Sequence, residues 1–196
     1  MQPPPCRLYL VAPDPLPTGF PVLLRAALGA GDVAALRLAT DEAAVIAAVR
    51  PVTVAHGVAL ILDGPPPLAV CAGCDGAHVR DVDEAAAARR TLGDLQLGVF
   101  CAGSRDAAMR AGEAGADYVS FGPATADAAA DDAIQWWADL MELPVVAEGP
   151  ITPTNCGVLV QARADFLAPA AFVWNHPEGP GAAVRALHAA IASEMK

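Results

Sequence analysis

Short apolar runs alternate with alanine-rich stretches from one end of this chain to the other. The runs are Leu8 to Ala12, Val33 to Leu38, Ala59 to Leu62, Gly76 to Val79, Gln96 to Val99, Tyr118 to Phe121, Val145 to Ala147 and Phe166 to Ala168, eight in all. Between and after them lie Pro21 to Leu28, Glu42 to Val49, Pro67 to Ala72, Glu84 to Thr91, Asp106 to Ala114, Ala133 to Met141, Asn155 to Gln161 and Ala182 to Ser193, which read as eight helices. Runs that are apolar throughout fit strands covered on both faces, and strict βα alternation supplies the crossovers that a parallel sheet needs. Eight units predict a TIM (β/α)8 barrel, one compact α/β domain over residues 1–196. The alternative is an open doubly wound sheet, which seldom fits eight units into such a length. Recurring Gly31-Asp32, Cys74-Asp75-Gly76, Gly115-Ala116-Asp117 and Arg163-Ala164-Asp165 mark helix-to-strand turns on the bottom face, a matter of folding.

Composition then removes whole classes of function. The net charge of −10 repels nucleic acid and anionic membranes, no apolar run reaches the about 20 residues of a membrane span, and MQPPPCRLYL lacks the pattern of a signal peptide. The expected setting is the cytoplasm and the expected partner a small molecule. The only lysine is Lys196, which excludes mechanisms resting on a buried lysine. Cys6, Cys71, Cys74, Cys101 and Cys156 are an odd set of thiols expected to be reduced, and Cys71-Ala-Gly-Cys74 reads as packing in a turn rather than a metal or redox pair.

In a barrel the chemistry belongs to the loops after the strands. Those loops hold Arg37, Arg80 and Arg105 among many carboxylates. Arg37, a long cation at the end of an apolar strand, is expected to point toward the mouth. Arg80 and Arg105 are candidates for gathering an anion; the alternative is surface pairing with Asp81, Asp83 or Asp106. Trp136-Trp137 reads as outer-layer packing or a dimer contact, and Trp174 as a ligand wall or core packing.

LYLVAPD (8–14), GVALILDG (57–64), DGAHVRDVD (75–83), GADYVSFGP (115–123), LPVVAEGPITPTN (143–155) and ARADFLAPAA (162–171) in this order resemble thiamine phosphate synthase and its sister, the thiazole tautomerase, over nearly the whole chain. The resemblance implies coupling of hydroxymethylpyrimidine pyrophosphate with thiazole phosphate, with magnesium and cations stabilising the departing pyrophosphate. It assigns Arg37, Asp63 and Asp83 to catalysis and Asp63 and Asp83 to Mg2+; helix capping is the alternative for Asp83. It assigns Gly122, Pro123, Thr125, Gly149, Ile151, Thr152 and Ala170 to substrate and phosphate binding, and Arg80 and Arg105 join them as candidates from their place in the loops.

Several family positions are altered. The family's glutamine-x-arginine-x-lysine keeps only Arg37, its catalytic lysine beyond Gly122-Pro123 is missing, and its Gly-Gly-Ile becomes Gly149-Pro150-Ile151, where proline has no N–H to offer. Glu148 adds a carboxylate near the phosphate position. The tautomerase histidine position holds Pro123, and His78 reads as structural. Three expectations follow: a synthase with reduced or lost activity; a family barrel that binds a thiamine-related ligand such as thiamine phosphate, or regulates; or a barrel recast for another substrate or for protein interaction. A homodimer is compatible with each.

Overall fold

The computed structural model describes residues 5–122 and 129–194. They form a closed barrel in which eight parallel strands pair in sequence order. The strands are β1 Arg7–Val11, β2 Val33–Ala39, β3 Ala59–Asp63, β4 Gly76–Val79, β5 Gln96–Phe100, β6 Tyr118–Phe121, β7 Val145–Gly149 and β8 Phe166–Pro169. Pairing of Arg7 with Phe166 and Leu8 with Leu167 closes the ring. The helices are α1 Phe20–Leu28, α2 Ala43–His56, α3 Pro66–Ala72, α4 Ala85–Leu92, α5 Arg105–Glu113, α6 Ala129–Leu140, α7 Cys156–Gln161, α8 Ala171–Trp174 and α9 Pro180–Glu194, with a 3-10 turn at Val82–Glu84.

Strand alternation divides the apolar residues into two cores. Tyr9, Ala35, Ile61, Tyr118, Val146 and Ala168 fill the barrel, while the opposite strand faces pack against the helices. Gly98 makes room for the Tyr118 ring, since a Cβ there would stand 2.0 Å from it.

The aspartates before β4, β6 and β8 have a specific folding role. Each turns a carboxylate oxygen onto a backbone amide at or near the start of the preceding strand: Asp75 accepts from Leu60 at 2.7 Å, Asp117 from Leu97 at 2.7 Å and Asp165 from Val145 at 2.8 Å. Those amides would otherwise be open donors on the bottom face. Asp32 differs, holding the Arg7 guanidinium at 2.6 and 2.8 Å. Glycine takes the left-handed backbone in the turns before β3, β4, β5 and β6, at Gly57, Gly73, Gly93 and Gly115 (φ 65°, 69°, 60° and 88°), while Arg163 (φ 65°) does so before β8.

Two elements depart from the pattern in the sequence. The second helix continues through Pro51 to His56 and stops at left-handed Gly57 (φ 65°), because burying Ile46, Val49, Val52 and Thr53 on one face outweighs the single hydrogen bond that proline removes. The segment after β8, read as loop, contains α8. Trp174 at its end donates its indole N–H to the Val11 carbonyl at 2.6 Å and packs 5.0 Å from the Phe20 ring. These contacts anchor Trp174 against the core.

Candidate functional site

Alternation also sends polar side chains into the barrel from its upper half. Tyr9 and Tyr118 share a 2.7 Å hydrogen bond between hydroxyls, and Tyr118 meets His78 Nδ1 at 3.2 Å. His78 Nε2 stands 3.7 Å from Glu148 Oε1. Glu148 in turn accepts two bonds from Arg37, at 2.5 and 2.7 Å. Arg37 Nε lies 3.5 Å from Asp63 Oδ2, a charge contact without a hydrogen bond, and Asp63 accepts from Arg80 at 3.1 and 2.6 Å. A continuous polar chain thus climbs from the apolar floor to the mouth. Gly122 is required beside it, because a Cβ would come 2.5 Å from the Glu148 carbonyl.

Burial fixes the charge states. It works against the Arg37 charge, but the Glu148 bonds prevail and hold the guanidinium pKa above its ordinary value. Burial and the nearby Arg37 charge push His78 well below the ordinary histidine value, so the ring stays neutral. Burial raises both tyrosines. Because neutral His78 cannot take a proton that the unfolded chain accepts near pH 6.5, its contribution is harmless above that pH and destabilising below it. Each pH unit below that point removes about 1.4 kcal/mol of stability while the ring stays neutral. Urea unfolding from pH 7.5 to pH 5 is expected to show this acid slope and to lose it in His78→Gln; an equal slope in both proteins contradicts it. The groups facing His78 are Tyr118, Glu148, Arg37, Asp63 and Arg80.

Asp63, His78, Arg80 and Asp83 line one cleft of about 670 Å3 at the mouth. The structure therefore brings Asp63 and Asp83 to the same cavity with Arg37 behind them. Asp83 is exposed and bound by Arg110 of α5, and the cap of the 3-10 turn is Asp81, which accepts the Asp83 amide at 2.9 Å. The capping alternative thus belongs to Asp81. Arg80 pairs with Asp63 rather than with Asp81 or Asp83, and the Arg105 guanidinium lies over the Trp136 ring at 4.8 Å rather than on Asp106. Trp137 is buried, packs on Phe121 and donates to the Leu143 carbonyl at 2.8 Å, so this tryptophan is used within the protomer.

The expected phosphate loop is largely occupied by its own bonds. The Ile151 amide bonds the Gly149 carbonyl at 2.8 Å, and the Thr152 amide bonds Asn155 Oδ1 at 2.7 Å. The Gly122 amide bonds the Ala102 carbonyl at 3.0 Å. Ala170 precedes the single turn of α8. Pro123, Thr125 and Lys196 lie outside the described residues. Sequence reasoning missed the partnership of Glu148 with Arg37; the signal was a charged residue in phase with the inward positions of β7.

No group of three histidine, cysteine, aspartate or glutamate side chains suited to a metal occurs among the described residues. The cysteines are free, with Cys6 and Cys101 pushed up to about 12 and Cys74 to about 11, mainly by burial. No helix among the described residues is long and apolar enough to cross a membrane.

Comparison with known proteins identifies the family. A thiamine-phosphate synthase of Rhodospirillum centenum is 47% identical, covering 91% of this chain and 94% of the relative. One of Erythrobacter litoralis is 39% identical over 96% and 97%. The solved thiamine phosphate pyrophosphorylase from Pyrococcus furiosus superposes with a TM-score of 0.83 over 97% of each chain at 19% identity, a likeness of fold. The profile of the family described as thiamine monophosphate synthase matches residues 8–171, and the chain belongs to that family.

Proposed function

We propose that the protein couples a pyrimidine pyrophosphate to a thiazole phosphate, as a thiamine-phosphate synthase working in the cytoplasm. The observation carrying this reading is the kinship at 47% identity over 91% of the chain with a relative of that name. The cleft that Asp63 and Asp83 share is where the pyrophosphate would lie. In the coupling, the bond between the pyrimidine methylene carbon and the pyrophosphate oxygen breaks, the oxygen keeps the electron pair, and the thiazole nitrogen supplies the pair for the new C–N bond. Arg37 and Arg80 would face the departing anion, where fixed positive charge lowers the barrier.

Asp63 and Asp83 also suit magnesium, which takes one or two carboxylates and completes its shell with water and phosphate oxygens. Asp83 is held only by a surface pair with exposed Arg110, and such pairs are weak enough to exchange for a metal. Bound there, the ion would neutralise charge on the leaving pyrophosphate.

A second reading is a barrel that binds a thiamine-related ligand without turning it over. It is favoured by the ion pairing of Arg37 and Arg80 and by the bonded amides of Ile151 and Thr152. Purified protein incubated with both substrates and magnesium separates the two. Thiamine monophosphate that depends on magnesium supports the synthase; saturable binding without product supports the second reading and sinks the first.

A further inference from the structure

Inside the barrel with Glu148 lie polar atoms that no described residue satisfies. Arg37 Nε, His78 Nε2 and Ser120 Oγ have no hydrogen-bond partner among the described residues, although their residues are 4%, 1% and 0% exposed. An unmade buried hydrogen bond is costly, and a buried ion pair adds little to stability over apolar residues of equal size. Stability therefore does not account for a bidentate pair set among unpartnered polar atoms.

Charge points to recognition instead. Arg37 and Arg80 face Asp63 and Glu148, so this layer has two positive and two negative side chains and no net charge to offer a multiply charged anion. Glu148 alone covers the outer fork of Arg37, both of whose terminal nitrogens it takes. Its carboxylate has the planar, two-oxygen edge that one face of a phosphate group presents to a guanidinium. Asp63, which lines the cleft, and Glu148 retain 10% and 12% side-chain exposure, so neither carboxylate is sealed from solvent.

We propose that Glu148 is a specificity-determining residue: a tethered carboxylate that occupies the Arg37 fork and must be displaced by any phosphate-type anion that binds there. Only an anion able to outcompete it, through added contacts elsewhere in the cleft, gains entry, so stray phosphate is excluded. The inference deepens the synthase reading by naming a selective step for its pyrophosphate substrate, but the masking itself is read from the network.

Inorganic pyrophosphate, without magnesium or the second substrate, tests it on the full chain by calorimetric titration and by thermal shift. Glu148→Gln is expected to bind pyrophosphate at least tenfold more tightly than the unaltered protein, to melt higher in its presence, and to lose this gain when Arg37→Met is added. Glu148→Met, which fills similar volume without charge, is expected to show the same gain and covers the case in which Glu148→Gln does not fold. Equal affinity in the unaltered protein and in a folded Glu148 variant would overturn the inference, as would a gain that survives Arg37→Met. Tightened binding in a protein that forms no thiamine monophosphate would support the masking and count against the synthase reading alone.

Discussion

Arg37→Met is expected to lower the free energy of unfolding by about 3–5 kcal/mol, because it leaves Glu148 charged and largely buried with no guanidinium to receive. His78 is a poor substitute, since burial still favours its neutral ring after the Arg37 charge is gone and its nearer nitrogen is 3.7 Å from the carboxylate. The urea midpoint should fall by on the order of 1–2 M. Removing both charges, as Arg37→Met with Glu148→Met, should restore most of the loss, because two apolar side chains of similar size leave no lone charge behind. The difference between the single and double variants then measures the coupling of the pair. A loss below about 1 kcal/mol in Arg37→Met would show that water reaches Glu148 through the mouth and compensates it.

Asp63→Asn is expected to reduce magnesium-dependent formation of thiamine monophosphate by about 100- to 1000-fold, the range for losing one fixed electrostatic stabiliser of a developing anion. The substitution keeps the side chain's shape but removes a candidate metal ligand and the charge that orients Arg80. Asp83→Ala should lower turnover comparably while leaving stability within about 0.5 kcal/mol, since Asp83 is exposed and its pair with Arg110 lies on the surface. That contrast separates metal binding from folding. If Asp83→Ala turns over at the unaltered rate, the magnesium pair is wrong even where the synthase is right.

The barrel was legible because its signals are local. Runs such as VALIL and LYLVA show no alternation with charged residues, and eight short runs of this kind alternate with helical stretches in a chain of 196 residues, which leaves little room for an open sheet. Five strands extend one or two residues beyond their apolar runs at the top, to Ala39, Asp63, Phe100, Gly149 and Pro169, because closing the barrel orders backbone that hydropathy does not mark. Pro51 illustrates the opposite limit: a strong local breaker yielded to a buried helix face that the sequence pattern alone undervalued.

The site was legible by residue type and position but not by partnership. Asp63 and Asp83 line one cleft and Arg37 lies buried beside Asp63, yet which carboxylate takes which arginine was invisible in the sequence. Arg37 reaches Glu148 across 111 positions of chain, Tyr9 reaches Tyr118 across 109, and Asp83 goes to Arg110, 27 residues on. Periodicity within a strand states which side chains enter the barrel. Only closure of the sheet brings β2 and β7 side chains together in the lumen, and low-dielectric surroundings then decide that Arg37 is spent on Glu148 and that His78 stays neutral. The sequence by itself determined a family barrel with a carboxylate-rich mouth; the tertiary structure decided that its deepest cation is already taken.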